Sequence, residues 1–260
     1  MNETLKVILN RRSVRKFSDQ ALAQNEKDAI LEAALRAPTA GNMMLYTIIE
    51  VDDQALKERL ADTCDHQPFI AQAPFVLLFV ADYQRWLDYF AACDVTRKAG
   101  ELNRPTRLPQ EGDMLLACCD ALIAAQNAVI AAESLGIASC YIGDILENYE
   151  THREMFHLPR YALPITLLVF GRPASGEMPA GRTPRFAPEF IVQRNAYRRF
   201  TSDDFARMYS HLTERFQANP NPPYGAENVG QAMYFRKFVA DFSLEMNRSA
   251  GEMIKNWQEG

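Results

Sequence analysis

Two apolar patterns alternate along the chain. FVLLFVAD (75–82) and ITLLVFG (165–171) are nearly unbroken apolar runs of strand length, the pattern of strands buried on both faces. LYTIIEV (45–51), rich in branched and aromatic residues, predicts another strand. IASCYIGDI (137–145) predicts one that runs into a Gly-containing turn, and FIV (190–192) a short last one. Helical spacing fills the gaps. Asn25 is placed to cap a helix through Arg36, with Ile30, Ala33 and Ala34 facing inward and Pro38 ending it. Asp53 is placed to cap a helix to Cys64 through Leu56 and Leu60. The longest helix is DMLLACCDALIAAQNAVIAAESLG (113–136), with Asp113 as N-cap and Gly136 just past its end. It is apolar almost all round, so it is buried on nearly every side. Periodicity leaves two readings open, a central core helix of one protomer or a helix at a subunit interface.

Beyond Gly171 and Pro173 comes a loop rich in Gly, Pro and Arg, GRPASGEMPAGRTPRFAPEF. The tail then predicts an amphipathic helix capped by Ser202, carrying Phe205, Met208, Tyr209, Leu212 and Phe216. A Pro/Asn loop, NPNPPYG, separates it from a final helix with Phe238, Phe242 and Met246 spaced by four. Two amphipathic helices with no sheet to complete suggest an arm that packs on something else, such as a partner subunit. No internal repeat interrupts this order.

Bulk properties narrow the function. The 260 residues fit one large domain or two small ones. A net charge of −5 excludes the domain-wide cationic field of a general nucleic-acid binder. Five cysteines, an odd number without CxxC spacing, predict buried thiols in a reducing cytoplasm. MNETLKVILN lacks the pattern of a signal peptide, and no unbroken apolar run reaches the ~18 residues of a membrane span, so no membrane association is expected.

The usual catalytic devices are missing. GxGxxG, GxxxxGK[ST] and GxSxG do not occur. His152 and His157, five apart on a predicted helix, face different ways, and no metal site is expected. A chain so short of acids, bases and ligands points to a cofactor that carries the chemistry. Three stretches are candidates for holding it. RRSVRKF (11–17) concentrates cations: Arg11, Arg12, Ser13 and Arg15 suit a phosphate monoester, although cations also suit a helix C-terminus. APTAGNMMLY (37–46) makes a tight polar turn, offering Thr39, Asn42 and backbone N–H groups to a heterocycle, or serving as a plain connection. In DHQPFIAQAP (65–74), Gln67 has an amide fit for a ring edge.

Taken in order and spacing, RRSVRKF, APTAGNMM, CDHQPFIAQAPFVLLFVADY, AAQNAVIAAESLGIASCYIGDI and LLVFGRP resemble the nitroreductase family of flavoproteins. The branch resembled is that of oxygen-insensitive NADPH nitroreductases and NADPH–FMN oxidoreductases. The resemblance implies an α+β fold with a central mixed or antiparallel sheet flanked by helices, in an intertwined homodimer with a helical C-terminal extension. It implies an FMN-binding domain over residues 1–200, with 84–112 as an insertion read as a lid, and an extension over 201–260 packing on the partner subunit. The long apolar helix would then lie at the dimer core. Carried over by motif, the cofactor-binding set is Arg11, Arg12, Ser13, Arg15, Thr39, Asn42, Gln67, Tyr141, Ile142, Gly143, Asp144 and Arg185, with no side chain as nucleophile or general base. Arg11 stands where the branch commonly has His, Asp144 where it has a second Gly, Thr183 in place of the Lys of Lys-Pro-Arg, and Met44 where many members have Gln.

The activity implied by the resemblance is FMN-mediated, ping-pong transfer of hydride from NADPH or NADH through flavin N5 to a small acceptor: a nitroaromatic, a quinone or a flavin. A different class is also compatible with the residues, a flavin carrier or sensor without efficient turnover. Arg194, Arg198, Arg199 and Arg236 are candidates for a 2′-phosphate contact, or ordinary surface charges.

Overall fold

The computed structural model describes residues 1–176 and 183–259. These form two compact units, one of residues 1–182 and 245–260, the other of residues 183–244. The division expected from the sequence, at 200/201, falls inside the second unit.

The first unit is built on a four-stranded antiparallel sheet of order β1-β2-β4-β3. Its strands are β1 (Tyr46–Glu50), β2 (Phe75–Asp82), β3 (Ala138–Ile142) and β4 (Ala162–Gly171). Eight helices accompany them: α1 (Glu3–Asn10), α2 (Gln24–Leu35), α3 (Gln54–Thr63), α4 (Phe69–Gln72), α5 (Gln84–Ala92), α6 (Val95–Glu101), α7 (Glu111–Ser134) and α8 (Tyr149–Met155). The second unit holds α9 (Pro188–Ile191), α10 (Ser202–Met208), α11 (Ser210–Gln217) and α12 (Val229–Met233). The last helix, α13 (Asp241–Gln258), begins there and ends in the first unit.

Every residue of β2 is buried because the sheet is covered on both faces. Alternate side chains divide between two cores. Phe75, Leu77 and Phe79 meet the alanine-rich side of α7 (Ala121, Ala124, Ala125, Ala128) together with Ile30 of α2. Val76, Leu78 and Val80 meet Leu60 of α3, Ile70 of α4 and Met155 of α8. β4 starts earlier than the apolar run predicts. Pro164 is accommodated where the register shifts at Phe79/Val80.

A third core ties down the chain's end. Met253 and Trp257 of α13 pack with Leu45, Ala81, Tyr149 and Tyr161, and Trp257 is 1% exposed. Its indole N–H donates to the Gln110 carbonyl at 3.2 Å. The closing helix therefore returns to its own chain's core, whereas the sequence suggested an outward arm throughout.

Other differences are local. FIV is not a strand: Pro188 opens the helical turn α9. α2 starts one residue before Asn25, because the Glu26 carboxylate accepts the Ala23 N–H at 2.9 Å. Asp113 and Ser202 lie within the first turns of their helices. Asp113 accepts the Gln110 N–H, and Thr201 is the cap of α10. Cys64 and Cys140 are buried, but Cys93 and Cys119 are exposed. With 24 residues and a mean hydropathy of 1.8, α7 is long and apolar enough to cross a bilayer by length and composition. Counting unbroken runs misses this, because Asp120 and Glu133 interrupt the helix.

The two sides of α7 differ in side-chain size. Its alanines face the sheet, and small residues let the helix lie close to it. Leu115, Leu116, Leu122 and Ile123 point away and are exposed, with Leu115 at 61%. A contiguous apolar face of this kind is a mark of an interface.

Candidate active site

The basic segment is laid along the sheet. It leaves α1 at Arg11 and runs extended, with the Val14 N–H donating to the Ser139 carbonyl of β3 at 3.0 Å. Ser13 bridges Ser139 in parallel, and Phe17 bridges Pro173 beyond β4. The Phe17 ring fills the space over Gly171, where a Cβ would come within 2.7 Å of it, so a side chain at 171 would push the segment off. An extended chain alternates its side chains. Val14 is buried, while its neighbours Ser13 and Arg15 are exposed.

Arg11, Ser13 and Arg15 all act on the thiol of Cys140. Burial pushes its thiol up, while Arg15, Ser13 and Arg11 pull it back and Asp144 adds to the rise. Arg15 also lies 5.9 Å from the centroid of the Phe69 ring. None of Arg11, Arg12 and Arg15 is in a salt bridge among the described residues. Among the described residues, Arg12 Nε is buried without a partner. These are unspent donors in a chain of net negative charge.

Next to the cations lies an acidic corner. β3 runs out at Ile142, and Gly143, Asp144, Ile145 and Leu146 form a tight 3-10 turn. His152 anchors that turn from α8. It is fully buried, its Nδ1 lies 3.0 Å from the Ile145 carbonyl, and its Nε2 lies 2.8 Å from the Thr63 hydroxyl. The Gln67 amide donates to Asp144 Oδ2 at 2.7 Å and to the Cys64 carbonyl at 2.8 Å. Glu147 is buried, and burial with the nearby carboxylates of Asp144, Asp65 and Glu245 pushes its carboxyl up to about 8. Tyr141 donates its hydroxyl to Gln126 at 3.2 Å, and burial raises it to about 12. Glu133, near the end of α7, is raised to about 7 by burial, with Arg11 opposing.

Thr39 and Asn42 belong to a separate group. The Thr39 hydroxyl donates a short hydrogen bond to Asp120, and Asp120 also accepts the N–H groups of Ala40 (3.0 Å) and Leu45 (3.1 Å). Gly41 and Asn42 both take positive φ, +57° and +58°. Asp120 and Glu133 are thirteen positions apart on α7, roughly 20 Å along its axis. Within one protomer, then, Arg11, Ser13, Arg15, Gln67, Tyr141 and Asp144 come together, while Thr39 and Asn42 lie against the middle of α7, at Asp120. The 84–112 stretch goes with the latter, since Trp86 and Arg85 donate to the carbonyls of Met43 and Met44. Arg185 lies in the second unit and donates to its neighbour, the Pro184 carbonyl, at 3.2 Å. In the same unit Arg198 is committed to Asp204 at 2.7 Å.

Sequence reasoning missed Asp120, Glu133, Cys140 and Glu147. For the first two a signal existed: a lone acid inside an apolar helix must find donors or hold a proton. This arrangement can bind an anion through its guanidiniums and offer polar groups to a planar ligand edge.

The fold has close counterparts. The NfrA1 nitroreductase of Bacillus subtilis superposes with a TM-score of 0.77 at 26% identity, over 97% of this chain and 100% of that one. The nitroreductase family model matches residues 8–172. The chain belongs to the nitroreductase family. Among its relatives, an NAD(P)H FMN reductase of Bacillus subtilis is 34% identical over 197 residues, 76% of this chain and 75% of that protein. An oxygen-insensitive NADPH nitroreductase of Salmonella typhimurium is 30% identical over 83% of each chain.

Proposed function

We infer that the protein is an FMN-dependent NAD(P)H oxidoreductase, acting on nitroaromatics, quinones or free flavins. The observation that carries this is the set of guanidiniums at Arg11, Arg12 and Arg15, free of carboxylate partners among the described residues, with the buried Arg12 Nε lacking any acceptor. A phosphate monoester supplies the missing acceptors, and charge-assisted bonds to it are strong. The donor set therefore fits FMN. When bound, FMN supplies the hydride relay between donor and acceptor. The chain's residues bind and orient. Arg11, Arg12, Ser13 and Arg15 hold the phosphate and the adjoining ring. Gln67 and the 141–144 backbone turn meet the ring edge. Donor and acceptor use one space in turn, which gives ping-pong kinetics.

The working unit is a homodimer. The exposed apolar face of α7, from Leu115 to Ile123, flanks Asp120 and the Thr39 group beside it. A twofold-related copy docked there, antiparallel, brings its Thr39 and Asn42 towards the first chain's Arg11 group, so each site draws on both subunits. The FMN reductase and NADPH nitroreductase relatives support the donor and cofactor, and such an enzyme works where NAD(P)H is, in the cytoplasm.

The test is spectroscopic. Purified protein loaded with FMN is titrated anaerobically with NADPH and NADH, and nitrofurazone, menadione or free FMN is then added. Bleaching by the nucleotide and recovery with an acceptor are expected. Bound FMN that neither nucleotide bleaches would make the protein a flavin carrier.

A further inference from the structure

Gln67 has lost the freedom that glutamines usually keep. A primary amide has a donor end and an acceptor end, and a free one turns over to suit its ligand. Here both amide hydrogens are taken, by the Cys64 carbonyl and by Asp144 Oδ2. Both partners are acceptors. Turning the amide over would set its oxygen against two other oxygens and abandon both bonds. Oε1 is therefore the end left for a ligand. Asp144 is itself held in a tight turn, where the Glu147 N–H donates to the Asp144 carbonyl at 3.0 Å.

On the reading that this site holds FMN, we propose that Asp144 is a positioning residue that makes Gln67 a pure acceptor, so that the site selects a ring edge offering an N–H. An oxidised isoalloxazine presents several acceptors along its edges but one ring N–H, the imide N3–H. Gln67 accordingly accepts from N3–H, and flavin analogues without that hydrogen bind poorly. Asp144 acts only through Gln67. With no acceptor at 144, only the Cys64 carbonyl still holds the amide, and its NH2 turns more readily towards the ring carbonyls.

The experiment compares FMN with 3-methyl-FMN, binding each to the apoprotein and following flavin fluorescence. Wild type should favour FMN by roughly tenfold or more, the cost of one lost hydrogen bond with a stranded acceptor. In Asp144→Ala the preference should shrink to about threefold or less. A merely structural loss would weaken both ligands in parallel and keep the ratio. Asp144→Leu, of similar size and without an acceptor, serves if the alanine variant does not fold. A second readout needs no ratio: the N3–H proton of 15N-labelled FMN should be protected from exchange in wild type and released in the variant. Equal binding of the two flavins by wild type, an unchanged ratio in the variants, or a freely exchanging N3–H in wild type would each overturn the proposal. Failure of wild type to bind FMN at all would instead overturn the flavin reading of the site.

Discussion

Asp120 accepts the Thr39 hydroxyl proton from inside the wall of α7, and with it two backbone N–H groups of the following turn. The carboxylate is 3% exposed and holds the 39–45 turn against the helix. Asp120→Ala would strand these donors in a buried position. A loss of about 2–4 kcal/mol is expected, since each unsatisfied buried group costs ~1–3. Urea denaturation checks it. A variant as stable as wild type would mean that the turn is held elsewhere.

Arg12 carries a buried nitrogen without an acceptor. If a phosphate is its partner, Arg12→Ala should weaken FMN binding by about tenfold to a hundredfold, one charge-assisted bond of ~1.5–3 kcal/mol. Riboflavin lacks the phosphate, so its weaker binding should hardly change. Equal losses for both flavins would remove Arg12 from the phosphate.

Leu122 is 46% exposed in the middle of the outer face of α7. Leu122→Asp should turn a dimer into monomers in sedimentation velocity. On the proposal that each site draws on both subunits, the same variant should lose FMN, while far-UV circular dichroism stays that of the folded chain. A flavin-loaded monomer would refute the shared site.

Glu147 makes stability depend on pH with a definite sign. Its folded carboxyl titrates at about 8 against 4.5 in its ordinary state, so the folded chain keeps a proton that the unfolded chain has released. Its contribution is complete below about pH 4.5, falls as pH rises, and levels off above about 8. Glu133, raised to about 7, slopes the same way over the lower part of that range. Glu147→Gln should therefore gain on wild type in denaturation midpoints measured from about pH 5 to 8. A difference that stays constant with pH would show that Glu147 is ionised throughout.

The strands were readable because burial on both faces leaves a mark that survives without neighbours: FVLLFVAD has no polar alternation to misplace. The basic segment was readable as chemistry, since four cations in seven residues demand an account. Its path was not. Val14 pairs with Ser139, a partner far along the chain, and an isolated bridge has no period to detect. Helix starts were off by a residue or more wherever a side chain in the first turn reached back to cap, as Glu26 and Asp113 do. Asp144 was legible as a carboxylate in place of Gly, but its bond to Gln67 and the burial of Glu147 beside it were not, because both depend on segments far apart in the chain folding together. Exposure of Cys119 was hidden by its apolar neighbours Leu115 and Leu122, which share its side of the helix.

The return of Trp257 to the first unit gives residues 183–244 the topology of an excursion. Both ends of that stretch are stitched to one body. It can be lengthened, trimmed or swapped for another without unravelling the sheet or its helices. Evolution can thus retune whatever this excursion recognises while the machinery beneath stays as it is, and a graft cut at its two ends is the way to transplant that trait between relatives.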